Sequence, residues 1–167
     1  MHESLTQADW RRWLDDHAPK LLLFARQKAQ SEADAQDLVQ EALVEALKRQ
    51  SDGEPPPLAL VFATIQRRAI DLARRETRRA DREMAAQGSG TDCWFDTSVE
   101  DHELQKLIQT AMSQLPEMYR EVITLKMWGG LTFAEIATAL SIPPNTAASR
   151  YRYGLLELRK RTREVLA

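Results

Sequence analysis

The chain has few of the residues that build disulfides, metal sites and membrane spans. It contains one cysteine and three histidines among 167 residues, so no internal disulfide can form and a structural zinc site is not expected. Its apolar runs are far shorter than the roughly 20 residues that cross a bilayer. Its polar, acidic start lacks the pattern of a secretory signal. The sequence therefore predicts a cytoplasmic protein with no membrane insertion.

Signs of catalysis are also missing from the sequence. It contains no glycine-rich phosphate loop, no nucleophile with a base at a recognisable spacing and no cluster of metal ligands. We therefore expect no catalytic residues, no metal, no cofactor and no enzymatic activity.

Charge is distributed unevenly along the chain. The net charge is −2, but residues 1–60, 61–83, 84–117 and 118–167 carry −4, +3, −5 and +4 respectively. The two basic blocks are candidate phosphate-binding surfaces, and the two acidic blocks suit a basic partner.

Apolar residues recur at spacings of three and four, whereas no alternation of period two persists. This pattern predicts an all-α protein with two small helical domains, residues 1–86 and residues 99–167. A flexible acidic linker at residues 87–98 would join them, because that stretch combines glycine with polar and acidic residues. Trp94 and Phe95 are unexpected in such a linker, and they either pack onto a neighbouring domain or dock a partner.

Capping signals predict where the helices begin. Thr6 opens the first helix, whose buried face would include Trp10, Trp13 and Leu14, and Pro19 would start or kink a second segment. Ser31 opens the next helix, which runs to about Lys48.

Three further starts are expected in the second half of the chain. Residues 98–101 would cap a helix with Leu104 on its buried face, and Pro116 would be the first residue of the helix after it. Thr132 opens a third helix with a capping box.

A long helix is predicted from Leu58 to about Ala85, with an apolar stripe on one side and arginines on the other. A run of charge is often only a solvated face, but guanidinium groups without lysine favour phosphate recognition and base stacking. The candidate DNA contacts on this helix are Arg67, Arg68, Arg74, Arg75, Arg78 and Arg79.

The last fifty residues have the pattern of a helix-turn-helix. Gly129 and Gly130 end one helix, Thr132 opens the next, and a final helix begins at about Pro144. The apolar residues of the final helix should face the core, so its other residues form an outward face that could enter the major groove. On that face Arg152 could read guanine and Asn145 could read adenine. The candidate DNA contacts there are Asn145, Ser149, Arg150, Arg152 and Tyr153.

Three stretches together resemble the extracytoplasmic-function group of bacterial sigma factors, also called group IV of the sigma-70 family. Residues 34–43, Asp-Ala-Gln-Asp-Leu-Val-Gln-Glu-Ala-Leu, resemble the family's polymerase-binding helix. Residues 68–75 resemble the helix that reads the −10 promoter element, and residues 115–150 resemble the domain that reads the −35 element. The resemblance covers nearly the whole chain.

The resemblance implies a protein that binds core RNA polymerase and promoter DNA, and that an anti-sigma protein could control. It assigns recognition of the −10 element to the predicted helix from Leu58 to about Ala85, and recognition of the −35 element to the final helix. The polymerase contacts that it implies are Asp37, Leu38, Gln40 and Glu41.

The chain departs from the family pattern at several positions, among them Leu60 and Val61, which stand where the family often has an aromatic residue followed by leucine. Arg67 stands where the family usually has asparagine, and Ala148 stands where a basic DNA contact is common. Ser141 replaces the usual turn glycine, and Pro143 replaces a capping serine, so the helix after it has no side-chain oxygen to accept a backbone N–H. The changes at Ser141, Pro143 and Ala148 together predict an atypical −35 sequence.

Two other functions remain open from the sequence. A sigma-like decoy would bind an anti-sigma protein without touching DNA, but it would have no use for the arginine stripe. A simple helix-turn-helix repressor would bind an operator as a dimer, but the acidic helix and the division into two domains fit it poorly.

Overall fold

A computed structural model of the chain describes residues 6–50, 53–83, 93–95 and 101–167, the side chains of residues 80–83 excepted. Within these ranges all regular structure is helical, which confirms the predicted fold class. The helices are α1 Gln7–Lys28, α2 Glu32–Arg49, α3 Leu58–Glu83, α4 His102–Ser113, α5 Glu117–Met127, α6 Phe133–Leu140 and α7 Pro144–Leu166.

Contacts divide the chain into two compact units, Met1–Cys93 and Trp94–Ala167. The division falls inside the segment predicted as a linker. Most of the predicted flexible linker, residues 87–98, lies outside the described part of the chain. The described residues Trp94 and Phe95 group with the C-terminal unit.

Helices α1, α2 and α3 form the core of the N-terminal unit. Phe24 of α1 and Phe62 of α3 are fully buried and meet edge to face with their ring centres 5.5 Å apart, an arrangement that aromatic quadrupoles favour. Ala35 and Ala42 on α2 are also fully buried. The core of this unit therefore combines aromatic rings from α1 and α3 with small side chains from α2.

Helix α1 differs from the prediction in its first half. It passes through Pro19 as one continuous helix, with no second segment starting there. Leu14, expected to be buried, is 37% exposed, while Trp10 and Trp13 are half-buried and stack edge to face. The buried residues of α1 lie in its second half, at Leu21, Leu23, Phe24 and Ala25.

The predicted helix starts are confirmed where a side chain accepts a backbone N–H. Thr6 and Thr132 both form complete capping boxes, with Asp9 and Glu135 as the returning carboxylates. Ser31 accepts from Asp34 N–H at 3.1 Å. Such caps satisfy donors that the first helical turn leaves unpaired.

Two starts in the second half differ slightly from expectation. The cap of α4 is Asp101, which accepts from the N–H of Leu104 at 3.3 Å, while Ser98 lies outside the described residues. Pro116 is the cap residue before α5 rather than its first helical residue. Leu104, predicted to be buried, lies in the first turn of α4 and is 49% exposed.

Helices α4 to α7 surround a separate core in the C-terminal unit. Met112, Ile123, Leu125, Ile136 and Ala147 are fully buried there. At Gly154 on α7, a side chain would come within 3.0 Å of Tyr119 and Ile123 on α5. The absence of a Cβ therefore permits the close approach of α7 and α5, which the helical pattern did not predict.

Tight turns set the direction of α6 and α7. Gly130 adopts φ +66° after α5, as expected for a glycine that ends a helix. Ser141 adopts the left-handed conformation, φ 56° and ψ 47°, between α6 and α7. A serine thus holds a conformation that is uncommon for residues other than glycine. Pro143 precedes α7 without any side-chain cap, as its chemistry predicts.

Candidate nucleic-acid interface

The arginines of α3 fall into two groups. Arg74, Arg75, Arg78 and Arg79, in the second half of the helix, are all exposed. Arg67 and Arg68, one to two turns earlier, lie beside α2 and contact its carboxylates. The stripe that looks uniform in the sequence therefore has two environments.

Arg67 and Arg68 are held in an ion-pair network between α2 and α3. Arg68 donates to Glu41 at 2.8 Å and to Glu45 at 3.0 Å. Arg67 also donates to Glu45, and Arg49 reaches the same carboxylate at 3.0 Å from within α2. Three guanidinium groups thus converge on Glu45, whose side chain is 21% exposed.

This network changes the chemistry of Glu45 and of the arginines. Burial raises the pKa of the Glu45 carboxyl, but the hydrogen bonds from Arg67 and Arg68 outweigh it and hold the pKa below its ordinary value. The carboxylate stays charged, so Arg67 and Arg68 each have a counter-ion inside the protein. We assign part of their role to joining α3 to α2.

Glu45 was not among the residues predicted to matter. Its sequence signal is its position four residues after Glu41, on the same side of α2. Arg67, which departs from the family's asparagine, gains an explanation here because its partner is Glu45.

The predicted polymerase contacts separate into surface and core. Asp37, Gln40 and Glu41 are exposed on α2, one turn apart. Leu38 is only 4% exposed, so most of its side chain packs in the core. A shallow groove of about 160 Å³ runs between α2 and α3 beside these residues. Its lining is Asp34, Asp37, Leu38, Glu41, Arg68, Asp71, Leu72 and Arg75.

The outward face of α7 is arranged as the sequence predicts. Asn145, Ser149, Arg152 and Tyr153 are exposed, and Arg150 is half-buried. The inward side is Ala147, which is fully buried, with Tyr151 half-buried against Phe133 of α6 at a ring distance of 5.6 Å.

Arg152 is positioned by its neighbour on this face. Its guanidinium carbon lies 4.9 Å from the centre of the Tyr153 ring, and one of its nitrogens donates to the Tyr153 hydroxyl at 3.3 Å. The tyrosine is neutral, so it orients the guanidinium without neutralising it. Leu156, one turn further along, is 58% exposed and was not predicted as part of this surface.

Comparison with known proteins places both units in one class. Residues 13–79 match the family model Sigma-70 region 2, and residues 105–158 match Sigma-70, region 4. The first match covers most of α1, all of α2 and most of α3, and the second extends from the first turn of α4 into the second half of α7.

Curated relatives match over most of the length of the chain. The ECF RNA polymerase sigma factor SigL of Mycobacterium tuberculosis is 31% identical over 93% of this chain and 89% of its own length. The RNA polymerase sigma factor CarQ of Myxococcus xanthus is 26% identical over 86% and 83%. The chain belongs to the sigma-70 family and, within it, to the extracytoplasmic-function sigma factors.

A solved structure shares the fold at low sequence identity. The sigma factor RpoE of Bartonella quintana, solved in complex with the anti-sigma factor NepR, aligns over 93% of this chain and 97% of its own, with a TM-score of 0.75 and 22% identity. None of the helices in the described residues is long and apolar enough to traverse a bilayer.

Proposed function

We propose that this sigma factor binds core RNA polymerase through α2 and directs transcription from promoters that α3 and α7 recognise. The observation that carries the proposal is the exposed face of α7, where Asn145, Ser149 and Arg152 stand together in the unit that matches region 4. The remaining steps rest on the charge and exposure of the N-terminal unit.

The −35 element is the proposed ligand of α7. A helix in the major groove presents its outward side chains to the base edges. Arginine can form two hydrogen bonds with guanine, and asparagine can form two with adenine. Arg152 and Asn145 have that chemistry and exposure. Arg150, half-buried, is better placed to hold a phosphate than to read a base.

The −10 element is the proposed ligand of α3. Arg74, Arg75, Arg78 and Arg79 are exposed and follow one another at helical spacing, so they can track a phosphate backbone. Arg67 and Arg68 would contribute after exchanging a glutamate for a phosphate. Strand opening would proceed by capture of an unstacked base, at an unstacking cost of a few kcal/mol.

Core RNA polymerase is the proposed partner of the α2 surface. Asp37, Gln40 and Glu41 are exposed on one side of the helix, and two carboxylates with an amide complement a surface of basic and polar groups. Since the shared fold was solved with anti-sigma factors bound, we also propose that such a protein holds this chain inactive.

Transcription in vitro with purified core polymerase on a genomic library tests the function directly. Addition of the chain should create new start sites, and the sequences upstream of them define the promoter. If no start site depends on the chain although it binds an anti-sigma protein, the decoy function replaces this proposal. If the chain binds DNA as a dimer without polymerase, it is an operator-binding regulator.

A further inference from the structure

Arg67 and Arg68 are neighbours in the chain, but the protein engages very different shares of their hydrogen-bond donors. In Arg68 all three guanidinium nitrogens lie on carboxylates: Nε and Nη2 on Glu45 at 3.0 and 2.9 Å, and Nη1 on Glu41 at 2.8 Å. Arg67 contacts Oε1 of Glu45 through Nη2 alone, and it has no other hydrogen-bond partner within the described ranges. One of the five N–H donors of its guanidinium is therefore engaged, and the others are open to a ligand.

Glu45 is a fixed partner for Arg67. Its Oε2 is held by Arg68, and its Oε1 also accepts from Arg49 of the same helix at 3.0 Å. The Glu45 side chain is 21% exposed, whereas that of Arg67 is 49% exposed. The guanidinium of Arg67 is therefore oriented at one nitrogen while most of the group faces solvent.

The side of α3 that carries Arg67 differs from the side that carries Arg68. Arg74 and Arg78 follow Arg67 by seven and eleven residues, so they share its side of the helix, and both are exposed. Arg68 lines the groove between α2 and α3 together with Arg75. At 1.5 Å per residue, Arg67 lies about 10 Å along the axis from Arg74, roughly three nucleotides of a DNA strand. A strand held by Arg74 and Arg78 would therefore pass Arg67.

An arginine that is paired with a carboxylate is better suited to a base than to a phosphate. The charge of Glu45 offsets that of Arg67, and a phosphate would have to displace Glu45 from it. A base edge carries no net charge and is recognised by directed donors instead. Guanine presents two acceptors, O6 and N7, that one guanidinium can bind together. The donors that Glu45 leaves open on Arg67 meet this requirement.

We propose that Arg67 reads a guanine of the −10 element and that Glu45 is the positioning residue that orients it. The proposal deepens the function proposed above and rests on it, because it names a base contact within the DNA surface of α3. Arg67 keeps its contact with Glu45 when it binds the base, so this contact requires no exchange of partners. Glu45 touches Arg67 and not the DNA.

Transcription in vitro by the full chain and core polymerase, from templates with a randomised −10 region, tests the role of Arg67. The transcripts give the preference for each base at each position, normalised within each variant so that a general loss of activity cancels. The wild type should prefer guanine at one position, and Arg67→Ala should lower that preference by about tenfold, as expected for one bidentate pair. The preferences at other positions should remain.

Arg67→Gln is the second variant, because its amide keeps an N–H that can donate to Glu45 and it serves if Arg67→Ala does not fold. Glutamine binds adenine in two places, so the preference at that position should move from guanine towards adenine. A structural role alone would not change which base is preferred.

Arg74→Ala is the matched control, since it removes an exposed arginine from the same side of α3. It should lower transcription evenly and leave every base preference unchanged. A wild-type base profile in a folded Arg67→Ala or Arg67→Gln chain overturns the proposal. If the wild-type chain directs no transcript from any template, the proposed sigma function fails first.

Glu45→Ala tests the positioning role. Without this carboxylate Arg67 is no longer oriented, so the guanine preference should fall. Arg67 and Arg68 also lose a counter-ion, so the affinity of the polymerase complex for −10 DNA should depend more steeply on salt. Simple loss of structure would weaken binding without steepening that slope. Glu45→Gln keeps an oxygen that can accept from Arg67 and should lie between Glu45→Ala and the wild type. An unchanged guanine preference in Glu45→Ala would overturn the role of Glu45.

Discussion

The two helix faces proposed to bind DNA differ in what surrounds their cations. On α3, Arg67 and Arg68 are paired with Glu41 and Glu45 of the neighbouring helix. On α7, Arg152 lies against the neutral ring of Tyr153. Arg67 and Arg68 must therefore exchange partners to reach a phosphate, whereas Arg152 is already oriented without a carboxylate partner in the contacts described above.

The difference shows that the number of arginines in a sequence overstates the charge available to a ligand. It also connects two functions, since Glu41 belongs both to the proposed polymerase surface and to the network that holds Arg68. Ion pairs near the surface contribute only about 0–1 kcal/mol each. Replacing a glutamate partner of Arg67 or Arg68 with a DNA phosphate should therefore cost little free energy.

Charge reversal on α2 should have the largest effect. In Asp37→Lys with Glu41→Lys, two cations would face the proposed basic surface of the polymerase, and like charges at an interface cost several kcal/mol. Co-purification with core polymerase should fall by about 100-fold or more. Asp15→Lys with Asp16→Lys on the exposed side of α1 is the control and should leave binding intact.

The single variant Asp37→Lys separates binding from the internal network, because Glu41 and its contact to Arg68 are then unchanged. If the double variant still co-purifies with polymerase at the wild-type level, α2 is not the docking surface.

Arg152→Ala should weaken binding to the −35 element by about 1–3 kcal/mol, with the loss concentrated at one base pair. Affinity measured on a set of single-base-pair substitutions checks this. Arg163→Ala, an exposed cation near the end of α7, should lower affinity evenly across the set. Equal losses on every sequence for Arg152→Ala would make it a phosphate contact instead.

Much of this organisation could be predicted from the sequence. Capping boxes at Thr6 and Thr132 and the periodic apolar residues of α3 identify helices from local chemistry. The exposed face of α7 follows from helical spacing once Ala147 is placed inward. These features depend on residues close together in the chain.

The remaining features depend on contacts between distant residues. Sequence spacing cannot show that Glu45 meets Arg67 across two helices, that Leu38 is enclosed while Asp37 is exposed, or that Trp94 reaches Gln109 of α4. The early part of α1 was predicted as buried for a related reason, since an apolar stripe indicates a face but not whether another element covers it.

Alanine substitutions in the two groups of α3 arginines should change the salt dependence of DNA binding by different amounts. Arg75→Ala should flatten the slope of log affinity against log salt by roughly 0.7–0.9 for −10 DNA in the polymerase complex, as expected when one phosphate contact is lost. Arg68→Ala should change that slope less, because Arg68 already has counter-ions in the protein.

Stability provides the complementary measurement for this pair. Arg68→Ala leaves Glu45 with fewer partners and should lower the melting temperature of the N-terminal unit, whereas Arg75→Ala should leave it nearly unchanged. Identical slopes and identical melting temperatures for the two variants would remove the distinction between the groups.

The smallest effect is expected at Ser141, the turn that sets α7 against α6. A non-glycine residue in the left-handed region is disfavoured by about 1–2 kcal/mol, and glycine recovers part of this while losing backbone entropy. Ser141→Gly should therefore raise the free energy of unfolding by about 0.5–1 kcal/mol.

The same chemical change at Ser149 is the matched control, because that residue lies inside α7 with helical backbone, where glycine should lower stability by roughly 0.5 kcal/mol. Thermal unfolding of both variants gives the comparison. A loss of stability for Ser141→Gly would mean that its hydroxyl contributes more than its backbone conformation costs. The orientation of the α7 face would then depend on a side chain in the turn as well as on the packing of Ala147.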